Sequence, residues 1–146
     1  FVKQGFSVLR FNFRGVGRSA GNFDGGVGEL TDAATALDLL REYNPEAKSF
    51  WISGFSFGAW IAFHLLMRRP EIMGFVNVSP PTNLYDFSFL SPCPRPGLII
   101  QGDQDGIVRE QYVSSFYEKL STQQDVDIEY HVVKGAEKTL KNHRTN

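Results

Sequence analysis

Apolar positions along this chain keep two rhythms in turn. Residues 6–13 (FSVLRFNF) are aromatic and aliphatic with a partial period of two, the pattern of a strand. Residues 14–28 are rich in glycine and read as loop. Over 29–43 the period lengthens. Leu30, Ala33, Ala34, Leu37 and Leu40 share one face, with Asp32, Asp38, Arg41 and Glu42 mostly elsewhere, so a helix is predicted, closed by Asn44-Pro45. Short apolar runs at 49–53, 75–79, 98–101 and 126–133 predict further strands. Residues 59–67 are apolar nearly all round, which predicts a buried helix, and 110–120 predicts another. Residues 80–96 form a long loop holding Tyr85, Phe87 and Phe89. Strand and helix alternate, so the fold class is α/β, a mainly parallel sheet flanked by helices. Chemistry in such sheets gathers at the carboxyl ends of the strands.

Composition changes this picture little. With 146 residues, 42% of them hydrophobic and 21% charged, the chain can build one ordinary core. We read residues 1–135 as one domain and 136–146 as a polar tail through which no apolar face can be drawn. A net charge of −1 gives no electrostatic case for nucleic acid or an acidic membrane. The apolar stretches are too short to span a bilayer. Cys93 is alone, which excludes an internal disulfide and favours a cytoplasmic setting. Asn77-Val78-Ser79 matches a glycosylation sequon but falls in a predicted buried strand. The chain opens on Phe1 without a methionine, and the reading is of a fragment.

The candidate chemistry centres on Gly54-Phe55-Ser56-Phe57-Gly58, set between a strand pattern and a helix pattern. That is the context of a nucleophile elbow, in which a sharp turn exposes the serine and glycines relieve the crowding on either side. Ser56 would attack. The backbone N–H of Phe57, at the start of the helix, would face the developing oxyanion. A serine hydroxyl also needs a base, and the base an orienting carboxylate. After the strand at 98–101, Gly102-Asp103-Gln104-Asp105 offers Asp105, with Asp103 close behind and Asp86 a third choice; the first two could instead shape the turn. The base is harder to place. His64 lies eight residues past Ser56 on the same helix, about 12 Å up its axis. His131 sits inside a predicted strand, and His143 in the polar tail. Gly15-Val16-Gly17-Arg18-Ser19-Ala20 formally matches a dinucleotide fingerprint, but further glycines follow where a helix would have to open. No metal-ligand spacing is present, and the reading carries no cofactor. Its partner is a small-molecule substrate. The aromatic loop either covers the core or lines an apolar acyl or leaving-group pocket, and Arg14 either bonds within its loop or meets substrate.

Arg14-Gly15-Val16-Gly17-Arg18-Ser19, Gly54-Phe55-Ser56-Phe57-Gly58 and Gly102-x-x-Asp105, in that order, resemble the α/β-hydrolase superfamily. Phe11-Asn12-Phe13-Arg14-Gly15-Val16-Gly17 and Asp86-Phe87-Ser88-Phe89-Leu90 narrow the likeness to small lidless bacterial hydrolases related to dienelactone hydrolase and described as similar to Xaa-Pro dipeptidyl-peptidases. The resemblance covers residues 1 to about 136. It implies a partial α/β-hydrolase fold and a Ser–His–Asp triad, with Ser56 as nucleophile and Asp105 as acid. The implied activity is hydrolysis of an ester, thioester, lactone or amide carbonyl through an acyl-serine. Where the family has Gly-Ala-x-His after the last strand, this chain has Gly135-Ala136-Glu137-Lys138, so inactivity is expected of the chain as it stands. An exposed lysine is protonated at neutral pH and makes a poor replacement base. The family's first three strands precede residue 6, and with them the loop that supplies the second oxyanion donor. The strands at 6–13 and 49–53 are therefore expected either to pair directly or to leave apolar sheet exposed, which favours self-association. A non-catalytic domain that binds a ligand or partner through the same fold is the alternative.

Overall fold

The structure, a computed structural model, describes residues 2–15, 19–123 and 125–137. It divides into two compact units, Phe1–Ser49 and Phe50–Asn146.

In the first unit a short 3-10 turn at Val2–Gln4 leads into 6–13, where the expected strand does not form. An isolated ribbon leaves its N–H and C=O groups without a ladder, and the unit holds no other strand among the described residues to supply one. Phe6, Val8, Leu9 and Phe11 are exposed instead. Helix α1 spans Val27–Tyr43 and buries Leu30, Ala33 and Leu37. Its start is set by Glu29, fully buried, whose carboxylate reaches back to accept the N–H groups of Gly26 at 3.0 Å and Asp24 at 2.9 Å. Burial pushes the Glu29 carboxyl up, but these N–H groups, its own N–H and the Arg14 charge together outweigh it and its pKa stands lowered. At the other end Asn44 turns its side-chain amide onto the Leu40 carbonyl at 2.8 Å, ahead of Pro45. Arg14 is latched to α1: its Nε and Nη2 donate to the two Asp32 oxygens at 3.1 and 2.8 Å. A Cβ on Gly28 would run into the Arg14 guanidinium, so glycine here leaves room for the latch. Arg14 therefore bonds within its own unit. Among the described residues the first helix after Gly15 opens only at Val27, so the dinucleotide fingerprint lacks its helix.

The second unit runs β1 (Phe50–Phe55), α2 (Phe57–Arg68), β2 (Ile72–Val78), β3 (Gly97–Gly102), α3 (Glu110–Ser121) and β4 (Ile128–Val133). The strands form one parallel sheet in the order β1-β2-β3-β4. Ile52 is in register with Phe75, and Phe63 of α2 meets the Phe75 ring at 4.8 Å and Phe116 of α3 at 5.9 Å. Both helices thus lie on one face of the sheet. Ile61, Phe63, Leu65, Leu66, Phe75, Ile99 and Val113 are all buried. The other face shows Trp51, 51% exposed, lying over Gly74, where a Cβ would meet its ring at 2.5 Å. Phe87 and Leu90 of the loop after β2 turn into the core. No helix among the described residues is long and apolar enough to cross a membrane.

Candidate active site

β1 and α2 meet at Ser56, whose backbone stands at φ 55° and ψ −120°. A non-glycine residue there carries roughly 1–3 kcal/mol of strain and stays only if its surroundings hold it. They do. The Ser56 N–H donates to the Val78 carbonyl at 2.8 Å, and its own carbonyl accepts the N–H groups of Ala59 at 2.9 Å and Trp60 at 3.4 Å. The turn brings α2 so close to β1 that a Cβ on Gly54 would lie 2.2 Å from the Gly58 oxygen. Asn77, fully buried on β2, accepts the Gly54 N–H at 2.9 Å. The expected elbow is thus formed, with Phe57 opening α2 at the positive end of the helix dipole, the geometry that meets an oxyanion.

Two strands along the sheet, the loop after β3 separates the two aspartates. Asp105 is 4% exposed. Its Oδ1 accepts the N–H groups of Ile107 and Val108, each at 2.9 Å, and its Oδ2 accepts Gln101 Nε2 at 3.3 Å. Gln101, fully buried, also donates to the Val108 carbonyl at 2.8 Å, so one amide grips both ends of the loop. Asp103 is exposed and accepts the Gly135 N–H at 2.7 Å, while Gln104 N–H donates to the Ala136 carbonyl at 3.0 Å. The exit of β4 is therefore fastened to the Asp105 loop. With β2 between them, β1 and β3 stand about 10 Å apart. Ser56 and Asp105 share the carboxyl edge of the sheet, two strands apart.

The remaining candidates fall elsewhere. The Asp86 carboxylate caps the turn at Ser88–Leu90 by accepting the Ser88 N–H at 2.9 Å, and that bond holds its pKa low. His64 is stacked on Phe89 at 3.7 Å and set edge-on to Trp60 at 4.7 Å, with Nε2 buried and no protein partner among the described residues. Burial lowers its pKa, the Arg68 charge adds to this, and Asp86 partly offsets it. His131 lies exposed on β4. Lys138 and His143 lie outside the described residues. Cys93 is buried, its thiol pushed up by burial, with Sγ 3.4 Å from the Arg95 carbonyl. Among the described residues no group of three or more His, Cys, Asp or Glu could hold a metal ion. The hold of Asn77 on the Gly54 turn and of Gln101 on the Asp105 loop escapes the sequence reading, which meets Asn77 only in a sequon. The signal for each is a lone amide near the carboxyl end of an otherwise apolar strand.

Comparison with known proteins gives this geometry a setting. The family model of serine aminopeptidase, S33, matches residues 1–95. An uncharacterized protein of Rickettsia prowazekii (strain Madrid E) is 56% identical over 140 residues, covering 93% of this chain and 59% of that protein. A candidate alpha/beta hydrolase of unknown function from Agrobacterium tumefaciens superposes with a TM-score of 0.92 at 53% identity, covering 96% of this chain and 64% of that one. An alpha-beta serine hydrolase homologue from Coxiella burnetii gives 0.81 at 34% identity, over 91% of this chain and 61% of that one. The chain spans about three fifths of the length of these relatives.

Proposed function

The chain belongs to the serine aminopeptidase S33 family of α/β-hydrolases, and from that premise we propose that the protein is a serine hydrolase attacking an ester, thioester, lactone or amide carbonyl through Ser56. The observation that carries the reading is the strained Ser56 backbone, held at positive φ by the Val78 carbonyl and by the close crossing at Gly54. Strain of this kind persists where a side chain has to be presented rather than packed.

In the proposed reaction a base between Ser56 and Asp105 takes the hydroxyl proton as Oγ bonds to the carbonyl carbon. The oxygen becomes an oxyanion facing the Phe57 N–H, where a preorganised donor is worth on the order of 10²–10³ in rate. Collapse of the adduct expels the protonated leaving group and leaves an acyl-serine, and water then releases the acid. Asp105 serves by position: its carboxylate is fixed by two loop N–H groups and Gln101, ready to orient a base. The exit of β4, fastened to that same loop, is the place from which the family brings its histidine.

Intact-mass spectrometry after treatment with a fluorophosphonate tests this. With Lys138→His, which puts a histidine where the family has one, one adduct is expected, lost when Ser56→Ala is added, while the native chain labels far more slowly. No adduct on folded Lys138→His would overturn the reading and leave a binding domain.

A further inference from the structure

Beside Ser56 the helix and the loop after β2 build an aromatic shelf. Phe57 follows Ser56 directly, and Trp60 stands one turn further on, about 6 Å along the axis, its backbone N–H bonded to the Ser56 carbonyl. Tyr85 stacks on Trp60 at 4.6 Å and 29°, and Phe57 leans on both, at 5.9 Å from Trp60 and 5.7 Å from Tyr85. The Trp60 indole N–H is fixed to the Asp86 carbonyl at 3.0 Å. His64 supports the Trp60 ring edge-on from below.

Rings that serve only the core go into it, as Phe87 and Phe63 do. Phe57, Trp60 and Tyr85 do not. All three are half-buried, and they lie together next to the serine rather than scattered over the surface. The first two turns of α2 carry no Lys, Arg, Asp or Glu. Asp86, next to Tyr85, has its carboxylate on the Ser88 N–H and would repel a negative ligand. Rigid, uncharged, partly open and continuous with the nucleophile, the shelf has the properties of a substrate subsite.

We infer that Phe57, Trp60 and Tyr85 form the subsite for the substrate's acyl group, and that it takes an uncharged aryl or medium-length alkyl chain. The inference deepens the hydrolase reading, and it rests on that reading for the role of Ser56. It divides the aromatic loop between two tasks: Phe87 and Leu90 belong to the core, Tyr85 to the site.

The test reads binding apart from turnover. In Ser56→Ala, which cannot form an acyl-serine, the two indole N–H signals are followed by NMR while methyl benzoate, methyl hexanoate or methyl acetate is added; Trp60→Phe assigns them. The Trp60 signal is expected to move with methyl benzoate and methyl hexanoate, saturating at about tenfold lower concentration than with methyl acetate. The Trp51 signal, from the opposite face, stays put. Adding Tyr85→Ala is expected to erase the tenfold preference, and adding Tyr85→Phe to keep it. A Trp60 signal that ignores the apolar esters, or a preference that survives Tyr85→Ala in folded protein, would overturn the subsite. Fluorophosphonate labelling of Lys138→His answers the separate question. Binding without labelling keeps the subsite and sinks the hydrolase, and labelling without binding does the reverse.

Discussion

A single methyl group separates the elbow from a structure that cannot close. Gly54→Ala would set a Cβ 2.2 Å from the Gly58 oxygen and 2.6 Å from the Ala59 nitrogen. These are backbone atoms of a buried helix, which cannot swing aside as a flexible side chain can. Overpacking of this kind costs about 1–3 kcal/mol or more, and we expect Gly54→Ala to lower the urea midpoint accordingly and to abolish labelling of Ser56. His64 makes a second prediction at this scale. Its pKa is lowered by burial, so below the unfolded value, about 6.5, the unfolded chain binds the proton more readily than the folded one. Stability is then whole above that pH and drains as pH falls toward the lowered folded value. His64→Phe keeps a ring against Phe89 and removes the titration. Urea melts at pH 7.5 and 5.5 should show a larger drop for the native protein than for this variant.

Among the elements, the loop after β3 depends on the strand before it. Gln101 donates to Asp105 and to the Val108 carbonyl from inside the sheet. Gln101→Leu fills the same space but leaves a buried carbonyl and a carboxylate oxygen without that donor, which costs about 1–3 kcal/mol. The expected outcome is a lower urea midpoint together with slower labelling of Ser56, because the loop loses its hold on Asp105. Local pattern reaches some of these elements and not others. The apolar face through Leu30, Ala33 and Leu37 predicts a helix that the structure begins two residues earlier, at Val27, since the burial that makes the helix is written in its own spacing. Residues 6–13 mislead for the converse reason. Their alternation describes one ribbon and says nothing of whether a neighbour is there to complete its ladder. The elbow is legible because glycine, serine and glycine sit between two clear patterns. The different surroundings of Asp103 and Asp105 are not, because the contacts that bury one carboxylate and leave the other exposed come from Gln101 and from Gly135, the latter 32 residues from Asp103.

At the level of the whole molecule, each of the two compact units has elements and buried apolar residues of its own. The segment that joins α1 to β1, residues 44–49, has no regular structure beyond a turn, and Lys48 in it is exposed. Trypsin in limited amount is expected to cut after Lys48, leaving a product that begins at Ser49 and outlasts the rest of the digest, with a mass that identifies it. The reach of the sequence is also partial here. The parallel α/β class follows from alternation, but the exposure of the sheet face around Trp51 depends on what lies against it, and no periodicity encodes that.

The bond from Ser56 to Val78 also sets a moment in biosynthesis. The serine's left-handed backbone is held by the second strand, which leaves the ribosome after the serine does. Until Val78 is made and docked, the Ser56 N–H lacks the carbonyl that holds it in the fold, and only the first turn of α2 supports the conformation. The turn at Ser56 is therefore complete only when β2 is in place, after α2 has already been synthesised, so the proposed nucleophile takes its final form after the helix that follows it.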